Sequence, residues 1–184
     1  MMKDLLLVID LQKVYADGEP WACRETDRVC ERVIQLLDSG KPAQTIFTRF
    51  DAPVSPVGRW AEYNRAFADI NADPRLAELM DPIARASAGY PIYSKDTYSS
   101  LTIPEVAEAA AAADRVLLTG VVAECCVIAT AMALIDAGAQ VVYLKDAVAG
   151  QSAAFEERVE EILGALSPVH TSVMTVEEYL AENC

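Results

Sequence analysis

Short apolar runs alternate with longer amphipathic stretches along the whole chain. The short runs are almost continuously apolar, which is typical of strands buried on both faces. The longer stretches repeat their apolar residues at helical spacing, as Val29, Val33 and Leu37 do. Strands that alternate with helices predict βαβ units, and therefore an α/β fold in which helices cover both faces of a parallel sheet. The six predicted strands cover residues 5–9, 45–48, 91–94, 116–119, 140–144 and 169–173.

Capping residues, prolines and glycines mark the helix boundaries. The first helix is predicted to begin at Thr26 as its N-cap and to end before Gly40. Pro104 opens an alanine-rich helix, as proline often does in the first turn. No repeat or linker divides the sequence, so a single domain over 1–184 is expected. The predicted helices cover residues 26–37, 59–69, 75–86, 104–113, 125–137, 153–165 and 175–181.

The charge balance limits the classes of partner. Acidic residues number 28 and basic residues 15, which gives a net charge of −13. This balance disfavours nucleic acid and anionic membrane surfaces and leaves a small molecule as the expected substrate. The apolar run near the N-terminus is too short for a signal peptide, and no run reaches the roughly 18 apolar residues of a membrane span. A cytoplasmic location is expected.

Cysteine and histidine usage limits the chemistry. Five cysteines, of which two are adjacent, do not form a disulfide framework. The single histidine, His170, cannot build a histidine-rich zinc or iron site. We therefore expect no metal and no other cofactor. The cysteines are Cys23, Cys30, Cys125, Cys126 and Cys184.

Ligands of such sheets bind at the carboxyl ends of the strands, and reactive side chains follow three of the predicted strands. Asp10 ends the first strand, Lys95 ends the third, and Cys125 and Cys126 open the helix after the fourth. A helix N-terminus and a nearby cation both favour a thiolate nucleophile. Asp10 could accept the thiol proton, and backbone N–H groups of the turn at 120–126 could bind an oxyanion.

Each of these residues also has an ordinary structural role. An aspartate after a strand commonly caps a turn, and a cysteine in an apolar helix is commonly a small buried hydrophobe. Their meeting at three strand ends favours a reactive site, but spacing alone leaves both possibilities open.

Three motifs resemble those of the isochorismatase-like cysteine hydrolases. They are LVIDLQ at 7–12, YSK at 93–95 with Tyr98 behind it, and GVVAECCV at 120–127. They occur in the family's order, and Asp146 matches an acid that follows the next strand, so the similarity runs from residue 5 to about 150. The resemblance implies a three-layer α/β/α fold around a six-stranded parallel sheet.

The resemblance also implies an Asp–Lys–Cys triad, which maps onto Asp10, Lys95 and Cys126. The family places valine directly after its nucleophile, so Cys126 is assigned and the role of Cys125 stays open. A cis peptide bond four residues before the nucleophile is implied between residues 121 and 122, with the N–H groups of Val122 and Cys126 as the oxyanion hole. Members of the family often form dimers or larger homo-oligomers, which carries over as an expectation.

Departures from the family pattern narrow the activity. Nicotinamidases of the family bind a metal through an aspartate and several histidines after the second strand, where this chain has TRFDAP at 48–53. A metal-free protein that is not a nicotinamidase is therefore expected. Isochorismatases proper lack the nucleophilic cysteine, so Cys126 argues against vinyl ether cleavage.

Substrate-binding residues are less well marked. Arg49 is a candidate to bind a substrate carboxylate, although a surface role is equally compatible with its position. Trp60, Tyr63 and Tyr98, together with Trp21, are candidates to line a pocket, or ordinary core aromatics.

The resulting hypothesis is a cysteine-dependent hydrolase of a small amide or N-carbamoyl compound that acts through a thioester. Two alternatives stay open. One is a non-amide hydrolase of the same fold that cleaves an ether or ester. The other is a non-catalytic or redox-sensing member, for which the adjacent Cys125 and Cys126 are the sequence feature.

Overall fold

Six parallel strands form one sheet in the computed structural model, which describes residues 2–182. The strands are β1 (Asp4–Ile9), β2 (Gln44–Phe50), β3 (Ile92–Lys95), β4 (Arg115–Val121), β5 (Val141–Ala149) and β6 (Thr171–Met174). Their spatial order is β3-β2-β1-β4-β5-β6, and every neighbouring pair is parallel. The predicted α/β fold is thereby confirmed. Cys184 lies outside the described residues.

Helices cover both faces of the sheet and complete three layers. One face packs against α1, α5 and α9, whose buried residues join a core that includes Leu6, Val8 and Phe47. The other face packs against α6, α7 and α8 around Leu5, Leu7 and Leu118. The helices are α1 (Thr26–Ser39), α2 (Trp60–Ala66), α3 (Ala68–Asn71), α4 (Pro74–Ala77), α5 (Asp81–Ala86), α6 (Pro104–Ala112), α7 (Ile128–Asp136), α8 (Ala153–Gly164) and α9 (Val176–Ala181).

Three predicted helices are shorter or divided in the structure. The segment 59–69 forms α2 and α3, and the segment 75–86 forms α4 and α5. Proline lies in the first turn of both α4 and α5, where it starts a new helix instead of continuing the previous one. The segment 125–137 begins as a π-helical turn over Ala123–Val127, and α7 follows that turn.

Two predicted boundaries are also wrong. Glu25, in a left-handed conformation, occupies the N-cap of α1, and Thr26 is the first helical residue. β5 continues to Ala149, so Lys145 and Asp146 lie within the strand and not at its end. Asp146 connects β5 to α9 and α1, because its carboxylate accepts the Val176 N–H at 2.8 Å and pairs with the guanidinium of Arg32 at 2.9 Å.

Gly120 allows β1 and β4 to pair closely at the carboxyl end of the sheet. It lies opposite Ile9 with a φ of +104°, a conformation that L residues with a side chain rarely adopt. A Cβ at this position would lie 2.0 Å from the carbonyl oxygen of Ile9. No side chain fits there unless the two strands separate. The requirement for glycine therefore arises where β1 leads into Asp10 and where β4 leads toward the π-helical turn Ala123–Val127, which we call the cysteine turn.

We expect Gly120→Ala to lower the free energy of unfolding by more than ~3 kcal/mol, or to prevent folding, because strain at positive φ adds to the clash with β1. Gly138→Ala is the matched control, since Gly138 also has a positive φ, +86°, but open space around it. Its expected cost is about 1 kcal/mol. Urea unfolding followed by circular dichroism measures both, and equal losses would contradict the close approach of β1 and β4.

Candidate active site

Asp10, Lys95 and Cys126 meet at the carboxyl edge of the sheet. Asp10 directly follows β1, Lys95 is the last residue of β3, and Cys126 lies in the π-helical turn after β4. The chain places β2 and β3 on one side of β1 and β4 on the other, so the connections reverse direction at the β1–β4 pair. Such a switch point is where open α/β sheets bind ligands. All three side chains are buried.

The ammonium of Lys95 connects the three groups. Its Nζ lies 2.5 Å from Oδ2 of Asp10 and 3.4 Å from Sγ of Cys126, and it also donates to the carbonyl oxygen of Thr97 at 3.1 Å. The hydroxyl of Thr48 donates to the other carboxylate oxygen of Asp10 at 2.8 Å. The carboxylate of Asp10 and the ammonium of Lys95 therefore each have direct partners, which a buried ion pair requires.

Burial and neighbouring charges shift the pKa values of Lys95 and Cys126. Burial lowers the pKa of Lys95, but the Asp10 carboxylate, with a smaller contribution from Cys126, outweighs it, and the net effect is a raised pKa. Burial and the nearby Asp10 carboxylate raise the pKa of the Cys126 thiol, and the attraction of Lys95 only partly offsets them. The resting site therefore combines a lysine ammonium with a neutral thiol.

Backbone contacts hold the cysteine turn in place. The carbonyl oxygen of Val122 accepts the N–H groups of Cys125 and Val127, at 3.0 and 3.1 Å. The hydroxyl of Thr130 donates to the carbonyl oxygen of Cys126 at 2.7 Å and accepts the N–H of Ser100 at 3.0 Å. The peptide bond between Val121 and Val122 is cis.

Gln12 and Thr48 are structural supports of the site that residue spacing did not indicate. The side chain of Gln12 accepts the N–H of Phe50 at 2.7 Å and donates to the carbonyl oxygens of Phe50 and Ala77, at 2.9 and 3.0 Å. These bonds tie the segment after β1 to the end of β2. Gln12 belongs to the LVIDLQ motif, which was the available signal, whereas nothing local distinguished Thr48 from another strand residue.

A cavity of about 210 Å³ opens next to Cys126. Three of the four predicted pocket aromatics, Trp21, Tyr63 and Tyr98, line it together with the proposed oxyanion residue Val122. Trp60 lies behind this wall, with its ring centroid 5.1 Å from that of Tyr98 and 5.2 Å from that of Tyr63. We call this space the aromatic cavity; its lining residues are Tyr15, Trp21, Tyr63, Phe67, Tyr98, Val122, Cys125, Cys126 and Gln151.

Arg49 is not brought to the aromatic cavity. Its Nε donates to the hydroxyl of Ser94 at 2.9 Å, and its guanidinium pairs with Asp51 at 3.2 Å on an exposed surface. Neighbouring residues of a strand point to opposite faces, and Thr48 already points toward Asp10. The alternation along β2 therefore directs Arg49 away from Asp10.

Two further observations apply to residues 2–182. Their histidine, cysteine, aspartate and glutamate side chains form no group of three or more placed to hold a metal ion. None of the helices in this part of the chain combines the length and apolarity needed to cross a membrane.

Comparison with known families assigns the chain to a class. The family model described as the Isochorismatase domain matches residues 4–178, nearly the whole chain. The protein belongs to the isochorismatase-like hydrolase family. A search of curated proteins gives no match.

Solved structures share the fold at low sequence identity. A cysteine hydrolase from Pseudomonas syringae pv. phaseolicola 1448A superposes with a TM-score of 0.81 at 20% identity, over 97% of this chain and 91% of that one. The N-carbamoylsarcosine amidase from Thermoplasma acidophilum gives 0.71 at 20% identity, over 96% and 98%. The MAR1 ribonuclease from Caenorhabditis elegans gives 0.73 at 19% identity, over 97% and 80%.

We expect Thr48→Val to lower the free energy of unfolding by ~1–3 kcal/mol, because it removes a hydrogen bond to the buried Asp10 carboxylate at nearly constant volume. Thr45→Val, a buried position on the same strand, is the control and is expected to change stability by less than ~1 kcal/mol. Urea unfolding measures both variants. Equal stability of Thr48→Val and wild type would contradict the contact between Thr48 and Asp10.

Because the thiols of Cys23 and Cys30 are buried, we expect the free energy of unfolding to fall in alkali. Burial raises the pKa of Cys30 to about 11 and that of Cys23 to about 12, so the folded chain keeps protons that the unfolded chain releases above a pH of roughly 8.5. Stability is thus complete below that pH and falls as the pH rises toward the folded values. In Cys30→Ala the fall measured by urea unfolding between pH 8.5 and 10.5 should be shallower by up to ~1.4 kcal/mol per pH unit. An unchanged slope would contradict the buried, neutral Cys30 thiol.

Proposed function

We propose that the protein is a cysteine-dependent hydrolase of a small amide or N-carbamoyl compound. The observation that carries the proposal is the contact of Cys126 Sγ with the Lys95–Asp10 ion pair at the wall of a cavity. A nucleophile, a base and a compensating cation are the groups that thiol acyl transfer requires.

The first chemical step is attack of Cys126 on the carbonyl carbon. The raised pKa of the Cys126 thiol keeps it protonated at rest, so the S–H proton must leave as the S–C bond forms. Asp10 accepts this proton, and Lys95 keeps the carboxylate in place through its 2.5 Å contact. The charge on the carbonyl oxygen is stabilised by the N–H groups of Val122 and Cys126.

The second step releases the amine and then the acid. Asp10 donates its proton to the leaving nitrogen as the C–N bond breaks, and a thioester to Cys126 remains. Asp10 is then a carboxylate again and removes a proton from water, which attacks the thioester. The S–C bond breaks, the thiol regains a proton, and a carboxylic or carbamic acid leaves.

The relatives support a hydrolase but do not choose its substrate. The amidase and the cysteine hydrolase carry names compatible with thiol chemistry on a C–N bond. The MAR1 ribonuclease has the same fold, so the fold alone is compatible with very different substrates. The net charge of −13 disfavours RNA for this chain and favours a small molecule. The cytoplasmic location and the homo-oligomer stay predictions.

Ammonia release from a panel of small carboxamides and N-carbamoyl compounds tests the proposal. We expect Cys126→Ala to lower kcat/KM at least ~10³-fold, because it removes the atom that forms the thioester. Cys30→Ala, which removes a thiol in α1 away from the cavity, is the control and should keep the activity. Cys125→Ala should retain turnover that Cys126→Ala lacks, which assigns the nucleophile between the two.

The other outcomes identify the alternatives. Turnover that survives Cys126→Ala would show a non-thiol hydrolase, such as one that cleaves an ether by acid catalysis. Absence of turnover by wild type on amides, esters and ethers would overturn the enzymatic assignment and favour a non-catalytic or redox role.

A further inference from the structure

The aromatic cavity has an uncharged wall. Among residues 2–182, its lining consists of five aromatic side chains, Val122, two thiols and the amide of Gln151. Burial, with smaller contributions from neighbouring thiols and acids, raises the pKa values of Tyr15, Tyr63 and Tyr98. The tyrosine hydroxyls therefore stay neutral. Such a wall offers neutral hydrogen bonds and aromatic surface but no formal charge.

Two cations beside the lining residues of the cavity, Lys95 and Arg24, are already engaged. Lys95 lies behind Cys126 with a side chain that is 0% exposed, and it holds Asp10. Arg24, whose backbone N–H binds the carbonyl oxygen of Gly150 next to Gln151, pairs with Glu156 at 2.9 Å. A carboxylate inside the cavity would lose part of its hydration without gaining either of these cations as a partner, which is unfavourable.

A neighbouring acidic residue, Glu124, also disfavours an anion in the aromatic cavity. Glu124 precedes Cys125 in the cysteine turn, and burial together with Glu124 raises the pKa of the Cys125 thiol. One oxygen of Glu124 accepts the N–H of Gln151 at 3.0 Å. Its other oxygen is buried without a hydrogen-bond partner among the described residues. The negative charge of Glu124 and the net charge of −13 both disfavour an anionic ligand.

Gln151 is held where its amide can contact a ligand. Its backbone N–H is fixed by Glu124, and the preceding Gly150 donates its N–H to Glu156 at 3.0 Å and accepts the N–H of Arg24 at 2.9 Å. A Cβ at residue 150 would lie 2.5 Å from the Glu124 carboxylate, so the segment packs tightly there. The exposed Gln151 amide can both donate to and accept from a neutral polar group.

We propose that the aromatic cavity selects small uncharged substrates and that Gln151 orients them through its side-chain amide. The proposal rests on the proposed function, which it narrows to neutral amides or carbamoyl compounds and away from N-carbamoyl acids. The volume of about 210 Å³ is below the range of roughly 300–1,000 Å³ for drug-sized ligands, which limits the substrate to a small molecule.

Alkylation of Cys126 by iodoacetamide and iodoacetate tests the charge selection without any substrate. With either reagent an S–C bond to the thiol sulfur forms as the C–I bond breaks and iodide leaves. The reagents differ in one group, which is a carboxylate in iodoacetate and a neutral amide in iodoacetamide. Rates at pH 8.5 are followed by mass spectrometry in the Cys125→Ala background. After normalisation to a free thiol, we expect iodoacetamide to react at least ~10-fold faster than iodoacetate.

Gln151→Lys tests the position of the amide. It places a cation at the cavity wall and should reduce the preference for iodoacetamide several-fold. Gln44→Lys makes the same charge change at the exposed start of β2, on the opposite edge of the sheet, and should leave the preference unchanged. With any amide from the panel that is turned over, Gln151→Ala should lower kcat/KM about 10-fold because one or two hydrogen bonds are lost.

The possible outcomes distinguish the selection of neutral ligands by the aromatic cavity from the proposed hydrolase function. Equal normalised rates for the two reagents, or a faster reaction with iodoacetate, would overturn the uncharged cavity whatever the amide panel shows. An equal shift in Gln151→Lys and Gln44→Lys would overturn the role of Gln151. Selective labelling without amide turnover would instead remove the proposed function and leave the selection of neutral ligands in place.

Discussion

Burial of the Asp10–Lys95 ion pair is the constraint on which the rest of the site depends. Both side chains are fully buried, and taking two such charges out of water is expensive unless each finds close partners. The partners are Thr48 on the carboxylate and the Thr97 carbonyl oxygen on the ammonium. These groups come from β2 and from the segment after β3, so the charges are stable only when the sheet is assembled in its observed register.

The register is sensitive because strand side chains alternate between faces. A slip of one residue in β2 would exchange Thr48 for Arg49 beside Asp10, and replace a hydroxyl donor with a bulky cation. Gly120 adds a second restriction, since it permits the close pairing of β1 with β4 that brings the cysteine turn to the same edge. The backbone and the buried charges thus specify the same arrangement.

Local patterns in the sequence were sufficient for the sheet and for the meeting of three reactive residues at one edge. The strand cores are continuous apolar runs, and the carboxyl ends of parallel strands necessarily share an edge. The aromatic cavity was harder to predict from the sequence, because Tyr15, Phe67 and Gln151 come to it from separate segments with no common spacing. The division between α4 and α5, by contrast, follows Pro82 in the first turn of α5, which the sequence displays.

Arg49 shows why a charged residue near a strand end is a weak indicator of ligand binding. It follows Thr48 in sequence and is thereby directed to the opposite face, where Asp51 and Ser94 satisfy it.

Desolvation connects the reactivity of the site with the kind of molecule it accepts. The burial that raises the pKa of the Cys126 thiol also makes an unpaired charge in the adjoining cavity unfavourable. The ammonium of Lys95 already binds Asp10, Thr97 and Cys126, so a substrate anion could bind it only by displacing one of these partners. A neutral substrate imposes no such exchange. It can approach Cys126 while the ion pair stays intact, and charge then develops only on the reacting atoms, next to the proposed oxyanion donors, the N–H groups of Val122 and Cys126.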